Sequence, residues 1–305
     1  MITYSFIVPH KNSPKLLKRC LQSIPKRNDV EIIVVDDNSE DGKRPVDVGS
    51  NAKVLLLTSA ESKGAGRARN IGISHAKGKW LLFADADDYY EEGFLNILDK
   101  FSSRTDLDIL FFSCRGVDCE TLEYHPCGNR VMSLINQYNG TTESLDLIKY
   151  KTNVPWCKMI LRSYVMNYLF FFDEVKKGND IKFSYLSSYF TNNIEVVKDK
   201  LYVYTDNKEG ITHAQRSLEA SLDICVNQAK KRNFFLYIGK DHIFKPHPLY
   251  NIALSVLKHQ GICFFFKFVY SYMFQHKKLF RTEYDYVNTI ETIMIQQRLK
   301  SSNSV

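Results

Sequence analysis

The chain has 305 residues, of which 44% are hydrophobic and 25% are charged, a composition typical of a globular protein with one large domain or two smaller ones. The 20 Phe and 18 Tyr residues supply enough apolar surface for a core, which excludes an intrinsically disordered chain. A net charge of +7 is a mild excess that indicates an anionic partner, without choosing among nucleotide, phosphate, nucleic acid and lipid headgroup.

The first 113 residues alternate short apolar segments with segments of helical periodicity. The apolar segments are rich in Ile, Val, Leu and Phe without polar alternation, which predicts strands buried on both faces of a mostly parallel sheet. With helices between the strands, the expected fold class is α/β, a Rossmann-like sheet flanked by helices. The predicted strands are 4–9, 30–37, 53–60, 79–87 and 107–113, and the predicted helices are 13–24, 64–78 and 91–101.

The pattern weakens after residue 113. The segment following 114 indicates a hairpin or an insertion, and a helix is predicted near 141–153 with Thr141 or Thr142 as its N-cap. From 216 onward the chain is mostly of helical type, basic and aromatic. We therefore expect a first α/β half at 1–113, a second half of the same domain at 114–215, and a C-terminal helical extension at 216–305.

Carboxylates cluster where two of the predicted strands end. Asp36 and Asp37 end the second strand, and Asp85, Asp87 and Asp88 end the fourth. Carboxyl ends of parallel strands line one crevice, where α/β proteins bind ligands. Crowded carboxylates repel one another unless a cation neutralises them, and hard oxygen ligands suit Mg²⁺ or Mn²⁺ carrying a diphosphate. The alternative is a solvated turn after each strand.

Three further motifs carry two interpretations each. A predicted helix begins with Gly64, Gly66 and Arg69. This start is either an anion-binding site or a plain helix start with surface arginines. Asp180 follows a Gly-Asn turn as a helix cap or as a carboxylate base. A zinc set is a minor alternative to buried free thiols, because its spacing is not a standard one. That set would be Cys114, Cys119, His125 and Cys127.

The order of these segments resembles glycosyltransferase family 2, which has the GT-A fold. The matching pieces are FIVPHKN, EIIVVDDNSEDG, GAGRARNIGISHAKGKWLLFADADD, VPWCKMILRS, GNDIKFSY and YVYTDNKEGIT, from about residue 4 to residue 213. Each piece is weak alone, but together they are highly specific. The resemblance implies an inverting, metal-dependent transfer of a sugar from a nucleoside diphosphate, with UDP as the expected nucleotide, to a glycan or lipid-linked acceptor in cell-surface polysaccharide synthesis.

The resemblance also assigns donor-side residues by position. Asp37 would accept the imide N–H of uracil, with the backbone near Pro9 lining the nucleobase. Arg69 would approach the nucleotide. Asp85 and Asp87 match the Asp-x-Asp motif of the family, with Asp85 toward ribose or metal and Asp87 on the metal, Mg²⁺ or Mn²⁺.

On the acceptor side, the resemblance assigns Asp180 as the proton-accepting base, and Trp156 and Lys158 lie in the segment expected to border the acceptor. Three residues depart from the family pattern. Lys11 replaces a common aromatic, Ser62 replaces Asn, and Asn179 replaces the acid before Asp180, which removes a like charge and lowers the pKa of Asp180.

The C-terminal third predicts a different kind of contact. Residues 240–281 hold seven Lys or Arg and one acid around the segment ICFFFKFVYSYMF, which is too short to span a bilayer. The combination of basic, aromatic and aliphatic residues favours a helix that lies on an anionic membrane surface over a core helix or a dimer contact. Scattered cysteines and an N-terminus without signal-peptide features predict a cytoplasmic protein, peripheral at the inner face of the plasma membrane.

Two rival functions remain from the sequence. A nucleotidyltransferase would use the same metal and nucleotide, but the segment PHKNSPK lacks the glycines of its loop. An inactive relative would bind glycan or act as a scaffold. Nucleic-acid binding is not expected, because the basic residues cluster with bulky apolar runs rather than along a polar face.

Overall fold

The structure is a computed structural model that describes residues 1–46, 48–49, 52–210, 213, 217–243, 254, 256–258 and 261–275. Its centre is one eight-stranded sheet with the strand order β3-β2-β1-β4-β7-β6-β8-β5. The strands are β1 Tyr4–His10, β2 Val30–Asp36, β3 Ala52–Leu56, β4 Trp80–Phe83, β5 Tyr89–Tyr90, β6 Ile109–Asp118, β7 Lys158–Leu161 and β8 Ile194–Asp206.

Nine α-helices have both ends within the described residues. They are α1 Pro14–Ser23, α2 Ala65–His75, α3 Phe94–Ser102, α4 Asn129–Asn136, α5 Thr142–Lys151, α6 Arg162–Tyr168, α7 Ile181–Tyr189, α8 Leu218–Tyr237 and α9 Ile262–Gln275. Short 3₁₀ turns lie at Pro126–Gly128 and Asp241–Ile243. Of the two predicted caps of α5, Thr141 is the N-cap, and its side chain accepts a hydrogen bond from the N–H of Ser144.

The predicted α/β class and mostly parallel sheet are confirmed. Strands β3, β2, β1 and β4 are mutually parallel, and β6 is parallel to β8. The short β7 lies between β4 and β6 and is antiparallel to both, so the second half of the sheet is mixed. Phe6, Trp80 and Phe83 are fully buried, and each such side chain contributes about 1.5–3 kcal/mol to stability.

The sheet opens at its carboxyl edge between β1 and β4. Pairing of these strands ends at Ile7 and Phe83, while β1 continues beside β2 as far as His10. Pro9 lies beyond the last β1–β4 pair, so its missing N–H leaves no gap in that ladder. This opening is the place where ligands bind in parallel α/β sheets.

Candidate functional site

The turn after β4 separates its three carboxylates. The N–H of Asp88 donates to the carbonyl of Asp85 at 3.0 Å, which closes the turn. Asp88 is fully buried, and its carboxylate accepts hydrogen bonds from the Tyr202 hydroxyl at 2.8 Å and the Thr205 N–H at 2.7 Å. Asp88 therefore joins the turn to β8, and the two other carboxylates, Asp85 and Asp87, are left partly exposed.

We expect Asp88→Ala to lower the free energy of unfolding by about 2 kcal/mol, because two buried donors lose their acceptor. Urea denaturation measures this change. Asp41→Ala is the matched control, since the Asp41 side chain is 95% exposed, and its effect should stay within about 0.5 kcal/mol. Equal stability of the two variants would contradict the structural role of Asp88.

Arg69 joins the end of β4 to the segment before α7. Its side chain is 6% exposed, and its two terminal nitrogens donate to Asp85 Oδ1 at 2.5 Å and to Asn179 Oδ1 at 2.8 Å. Its guanidinium carbon lies 5.3 Å from the ring centre of Phe172. Of the two interpretations of this helix start, the one with surface arginines does not hold for Arg69, because α2 turns its side chain inward to bind both sides of the crevice.

Helix α2 approaches that segment closely because it begins with small residues. A Cβ at Gly66 would lie 2.1 Å from the carbonyl oxygen of Asp173, so a larger residue would push the segment away. Gly64, at the N-cap of α2, has φ +85° and donates its N–H to both carboxylate oxygens of Asp37 at 3.2 and 3.3 Å. Helix α2 thus contacts the end of β2, the end of β4 and the segment before Asp180.

The surroundings of Asp87 disfavour the ionised form of its carboxyl. Burial, and then the neighbouring Asp85, raise the pKa of its carboxyl. The side-chain amide of Asn207 donates to this carboxylate at 3.2 Å, and Arg19 of α1 donates to the carbonyl of the same residue at 2.5 Å. The turn is fixed from both sides, while its two partly exposed carboxylates repel each other.

Asp180 stands at the N-cap position of α7 without serving as a cap. Its side chain makes no capping hydrogen bond, so the helix-cap interpretation is wrong. Burial raises the pKa of its carboxyl, and the nearby charges of Arg69 and Lys158 oppose that effect. The expected effect of Asn179, a lower pKa than an acid at that position would give, stays a prediction. A desolvated carboxylate without a capping partner is a suitable proton acceptor.

The expected nucleobase edge lies around Asp37, which is 5% exposed. Its N–H donates to the carbonyl of His10 at 2.8 Å, which continues the β1–β2 pairing past Pro9. Lys11 Nζ lies 3.5 Å from Asp37 Oδ2, and the Ser62 hydroxyl donates to the carbonyl of Asp37 at 3.2 Å. Two of the residues that depart from the family pattern therefore contact Asp37 itself.

Trp156 and Lys158 are both buried, at 3% and 0% exposure. Trp156 stacks on Tyr202 and Tyr204, with ring centres 4.8 and 5.2 Å apart. Lys158 donates to the carbonyl of Thr152 at 3.3 Å, and burial lowers its pKa to about 8. Trp156 packs behind the turn that carries Asp85, and the acceptor role of both residues stays a prediction.

The cysteines of the expected hairpin engage separate partners. The thiol of Cys114 lies 3.6 Å from the carbonyl oxygen of Gly128, and that of Cys127 lies 3.5 Å from the carbonyl oxygen of Tyr204. Among the described residues, no group of three or more His, Cys, Asp or Glu side chains is arranged to hold a metal ion. Asp85 and Asp87 would therefore need ligands from a bound substrate to complete a metal site.

Their donor chemistry fits such a shared ion. Both side chains offer hard carboxylate oxygens. Burial, and then the charge of Asp85, raise the pKa of Asp87, so a bound cation would favour the ionised form of this carboxyl. Mg²⁺ and Mn²⁺ bind through one or two carboxylates together with substrate phosphates. The residues are thus compatible with a metal that arrives with, or binds together with, a diphosphate.

Comparison with known proteins agrees with this architecture. The family model described as glycosyl transferase family 2 matches residues 5–169, more than half of the chain. The chain belongs to glycosyl transferase family 2, and the resemblance found in its motifs is confirmed.

Two individual members of known function are similar to this chain in sequence. The poly(ribitol-phosphate) beta-N-acetylglucosaminyltransferase TarS of Staphylococcus aureus is 28% identical over 222 residues, covering 69% of this chain and 36% of TarS. A poly(ribitol-phosphate) beta-glucosyltransferase of Bacillus spizizenii is 34% identical over 125 residues, covering 37% and 19%. The chain therefore spans about a third or less of the length of these two relatives.

The fold is shared with solved structures. The crystal structure of S. aureus TarS 1-349 in complex with UDP-GlcNAc superposes with a TM-score of 0.58 at 23% identity, covering 85% of this chain and 78% of that one. This likeness confirms the expected GT-A fold. The family match ends at residue 169, before the segment that carries Asp180. The assignment of Asp180 as a base therefore depends on its motif and its surroundings.

Several residues of the site were not found from the sequence. Arg19, Tyr202, Thr205 and Asn207 hold the turn after β4, and each lies far from it along the chain. No local pattern marks them, because their partners are set by the sheet order. Asn179 was noted only as a departure from the family, whereas it is a direct partner of Arg69.

Proposed function

We propose that the protein is an inverting glycosyltransferase that moves a sugar from a UDP-sugar to a glycan or lipid-linked acceptor in cell-surface polysaccharide synthesis. The observation that supports this most strongly is the bridge of Arg69 between Asp85 and Asn179, which brings the end of β4 next to Asp180. A donor site and a proton-accepting carboxylate then share one crevice. The two relatives are named as poly(ribitol-phosphate) glycosyltransferases, which supports a polyol-phosphate or glycan acceptor.

On the donor side, Asp37 would accept the imide N–H of uracil beside Pro9, with Lys11 close enough to contact the nucleotide. Arg69 supplies a buried positive charge toward the nucleotide diphosphate, and Asp85 faces the ribose or the metal. The crystal structures of TarS with UDP-GlcNAc and with UDP support a uridine nucleotide. The sugars named for the two relatives differ, so the sugar is left open.

Asp87 and Asp85 would hold Mg²⁺ or Mn²⁺ together with the diphosphate. Such an ion, when bound, stabilises the negative charge that develops on the leaving diphosphate. The chain itself orients the two carboxylates, through Asn207 on Asp87 and Arg69 on Asp85.

Asp180 would take the proton of the acceptor hydroxyl as that oxygen attacks the anomeric carbon. Asp180 is half-buried, and the partial desolvation raises the pKa of its carboxyl. This favours the role, because a carboxylate with a raised pKa binds a proton more readily than one in water. A single base and one displacement from the face opposite the leaving group give inversion at the anomeric centre.

The proposed donor chemistry is tested by thermal shift. UDP and UDP-sugars with Mn²⁺ should raise the melting temperature, since a ligand that binds only the folded form stabilises it. GDP and CMP serve as nucleobase controls, and EDTA as the metal control.

The type of transfer is tested by analysis of the products. Release of UDP without pyrophosphate would indicate sugar transfer rather than nucleotidyl transfer. Binding without any turnover across a panel of UDP-sugars and polyol-phosphate acceptors would instead favour a non-catalytic glycan-binding protein.

We also propose that α9 contacts an anionic membrane surface, which would place the protein in the cytoplasm at the inner face of the plasma membrane. Ile262, Phe266 and Tyr270 are spaced four apart and are 61%, 62% and 63% exposed. The opposite face packs on α8, where Phe268 is 3% exposed. Within the described residues no helix is long and apolar enough to cross a bilayer. Parts of 240–281, including Lys277 and Lys278, lie outside the described residues.

We expect the protein to sediment with vesicles containing anionic lipid at low salt and to do so less at high salt, where charges are screened. Phe266→Asp should reduce sedimentation, because it places a charge in the apolar row. Phe171→Asp is the control, since Phe171 is 49% exposed elsewhere on the molecule. Absence of sedimentation at low salt would exclude this contact.

A further inference from the structure

Helix α8 carries a row of polar side chains that runs from the exposed Glu219 to positions buried in the protein interior. Its residues Glu219, Asp223, Asn227 and Lys231 are spaced four apart, so they lie along one face. The inward face of a helix packed on a core is usually apolar. Here two members of the row are almost fully buried, with Asn227 4% and Lys231 3% exposed. Buried polar groups are costly unless they are hydrogen-bonded, so their partners indicate what the row does.

The first three members hold the segment that leads to Asp180. Glu219 forms an ion pair with Lys176, and Asp223 accepts a hydrogen bond from the backbone N–H of the same lysine at 3.0 Å. Asn227 donates from its side-chain amide to the carbonyl of Gly178 at 3.0 Å. Two of these three contacts are made to backbone groups, so they fix the path of the segment.

The fourth member reaches the other side of α7. Lys231 donates to the carbonyl of Tyr150 and to the side-chain oxygen of Asn153, both at 2.5 Å. The backbone carbonyl of Asn153 accepts a hydrogen bond from Ser184, whose N–H donates to the carbonyl of Asp180 at 3.0 Å. The row on α8 thus contacts both the segment before Asp180 and a chain of partners behind the first turn of α7.

Gly178 is the point at which this support is most direct. Its φ of +75° lies in the left-handed region, which favours glycine. Its carbonyl also accepts from the N–H of Ile181, the first residue of α7, at 3.3 Å. The amide of Asn227 therefore binds the turn that sets the direction of Asp180, two residues before it.

We propose that Asn227 is a positioning residue for Asp180, and that α8 thereby makes the C-terminal region part of the catalytic machinery. This inference rests on the proposed function, in which Asp180 accepts the proton of the acceptor. It adds a role for a helix that lies outside the family match, which ends at residue 169. Loss of the Asn227–Gly178 bond would let the turn shift, and a displacement on the order of 1 Å at a catalytic group costs about 100-fold in rate.

The test compares Asn227→Ala and Asn227→Asp in the full chain by Mn²⁺-dependent release of UDP from whichever of the assayed UDP-sugars is turned over. The aspartate variant keeps the shape of the side chain but has no N–H to donate. We expect kcat to fall about 10- to 100-fold in both, with KM for the UDP-sugar within about 2-fold of wild type. Gln228→Ala, at the next and only half-buried position of the helix, should keep the wild-type kcat.

A double variant separates positioning from a general loss of structure. If Asn227 acts through Asp180, Asn227→Ala should cause no further loss in the Asp180→Asn background, because the two changes remove the same contribution. An equal loss in both backgrounds, or an unchanged kcat in the single variants, would overturn the inference. The UDP-induced thermal shift of Asn227→Ala should match wild type, and its absence would indicate misfolding and would also count against positioning.

These outcomes also distinguish the inference from the function on which it rests. Full turnover in Asp180→Asn would remove Asp180 from the mechanism, whatever Asn227 does. Loss of turnover in Asp180→Asn together with normal turnover in Asn227→Ala would leave the proposed function intact and refute the positioning role alone.

Discussion

Replacement of Asp180 by Asn should lower kcat by about 100- to 10,000-fold, the range that a positioned general base contributes, while the affinity for UDP stays within about 2-fold. The amide has the shape of the carboxylate but cannot accept the proton of the acceptor hydroxyl. Because Asp180 makes no capping hydrogen bond to α7, the change should not disturb the helix. Steady-state UDP release measures kcat, and calorimetric titration with UDP and Mn²⁺ measures affinity.

The pH dependence gives the same prediction a second readout. Burial raises the pKa of Asp180, so the carboxyl becomes protonated at a higher pH than an exposed aspartate. A protonated carboxyl cannot accept a proton, so kcat at saturating UDP-sugar and Mn²⁺, where Asp87 is occupied by the metal, should decline as the pH falls through this raised pKa. The decline should vanish in Asp180→Asn. Asp173→Asn is the matched control, because this carboxylate lies in the same segment but faces Lys182 at 3.7 Å. Near-normal turnover in Asp180→Asn would show that another group accepts the proton.

The strands that the sequence predicts best are those buried on both faces. Strands β1, β2 and β4 are buried along almost their whole length, so their segments are almost wholly apolar and their ends are marked by polar residues. Strands β7 and β8 have no such pattern. Strand β7 has four residues and begins with the buried Lys158, while β8 carries exposed residues at its centre. Their places depend on neighbours in the sheet, which composition does not record.

The site shows the same division. Asp37, Asp85, Asp87 and Asp180 could be predicted as site residues because strand ends and family motifs mark them. The sequence could not tell that Asp88, in the same acidic cluster, is structural, because its partner Tyr202 is 114 residues away along the chain. Long-range hydrogen bonds therefore decide which carboxylates of this cluster are buried and which stay partly exposed, and these bonds depend on the fold.

Replacement of Asp87 by Ala should weaken the binding of UDP in the presence of Mn²⁺ by at least about 10-fold, since even outer partners of a metal site cost about 10- to 100-fold when they are removed. The metal would lose a carboxylate ligand, and the diphosphate would lose the charge that the metal carries to it. Without a divalent ion, the variant should bind UDP no worse than wild type. The Asp87 carboxylate then has no metal to hold, and its removal takes away a negative charge that lies beside Asp85. Titrations with Mn²⁺ and with EDTA compare the two conditions.

The control for this change must remove a carboxylate of the same turn without touching the metal. Asp88→Asn serves, since Asp88 is fully buried and bound to Tyr202 and Thr205, and its amide keeps the shape of the side chain. Its dependence on Mn²⁺ should remain that of wild type, even though its stability falls. If Asp87→Ala and wild type bind UDP equally well with Mn²⁺ present, the acidic turn does not hold a metal, and Arg69 beside Asp85 would be the main positive charge facing the diphosphate. Arg69→Met would then abolish the binding that Asp87→Ala spares, so the two variants together decide which cation holds the donor.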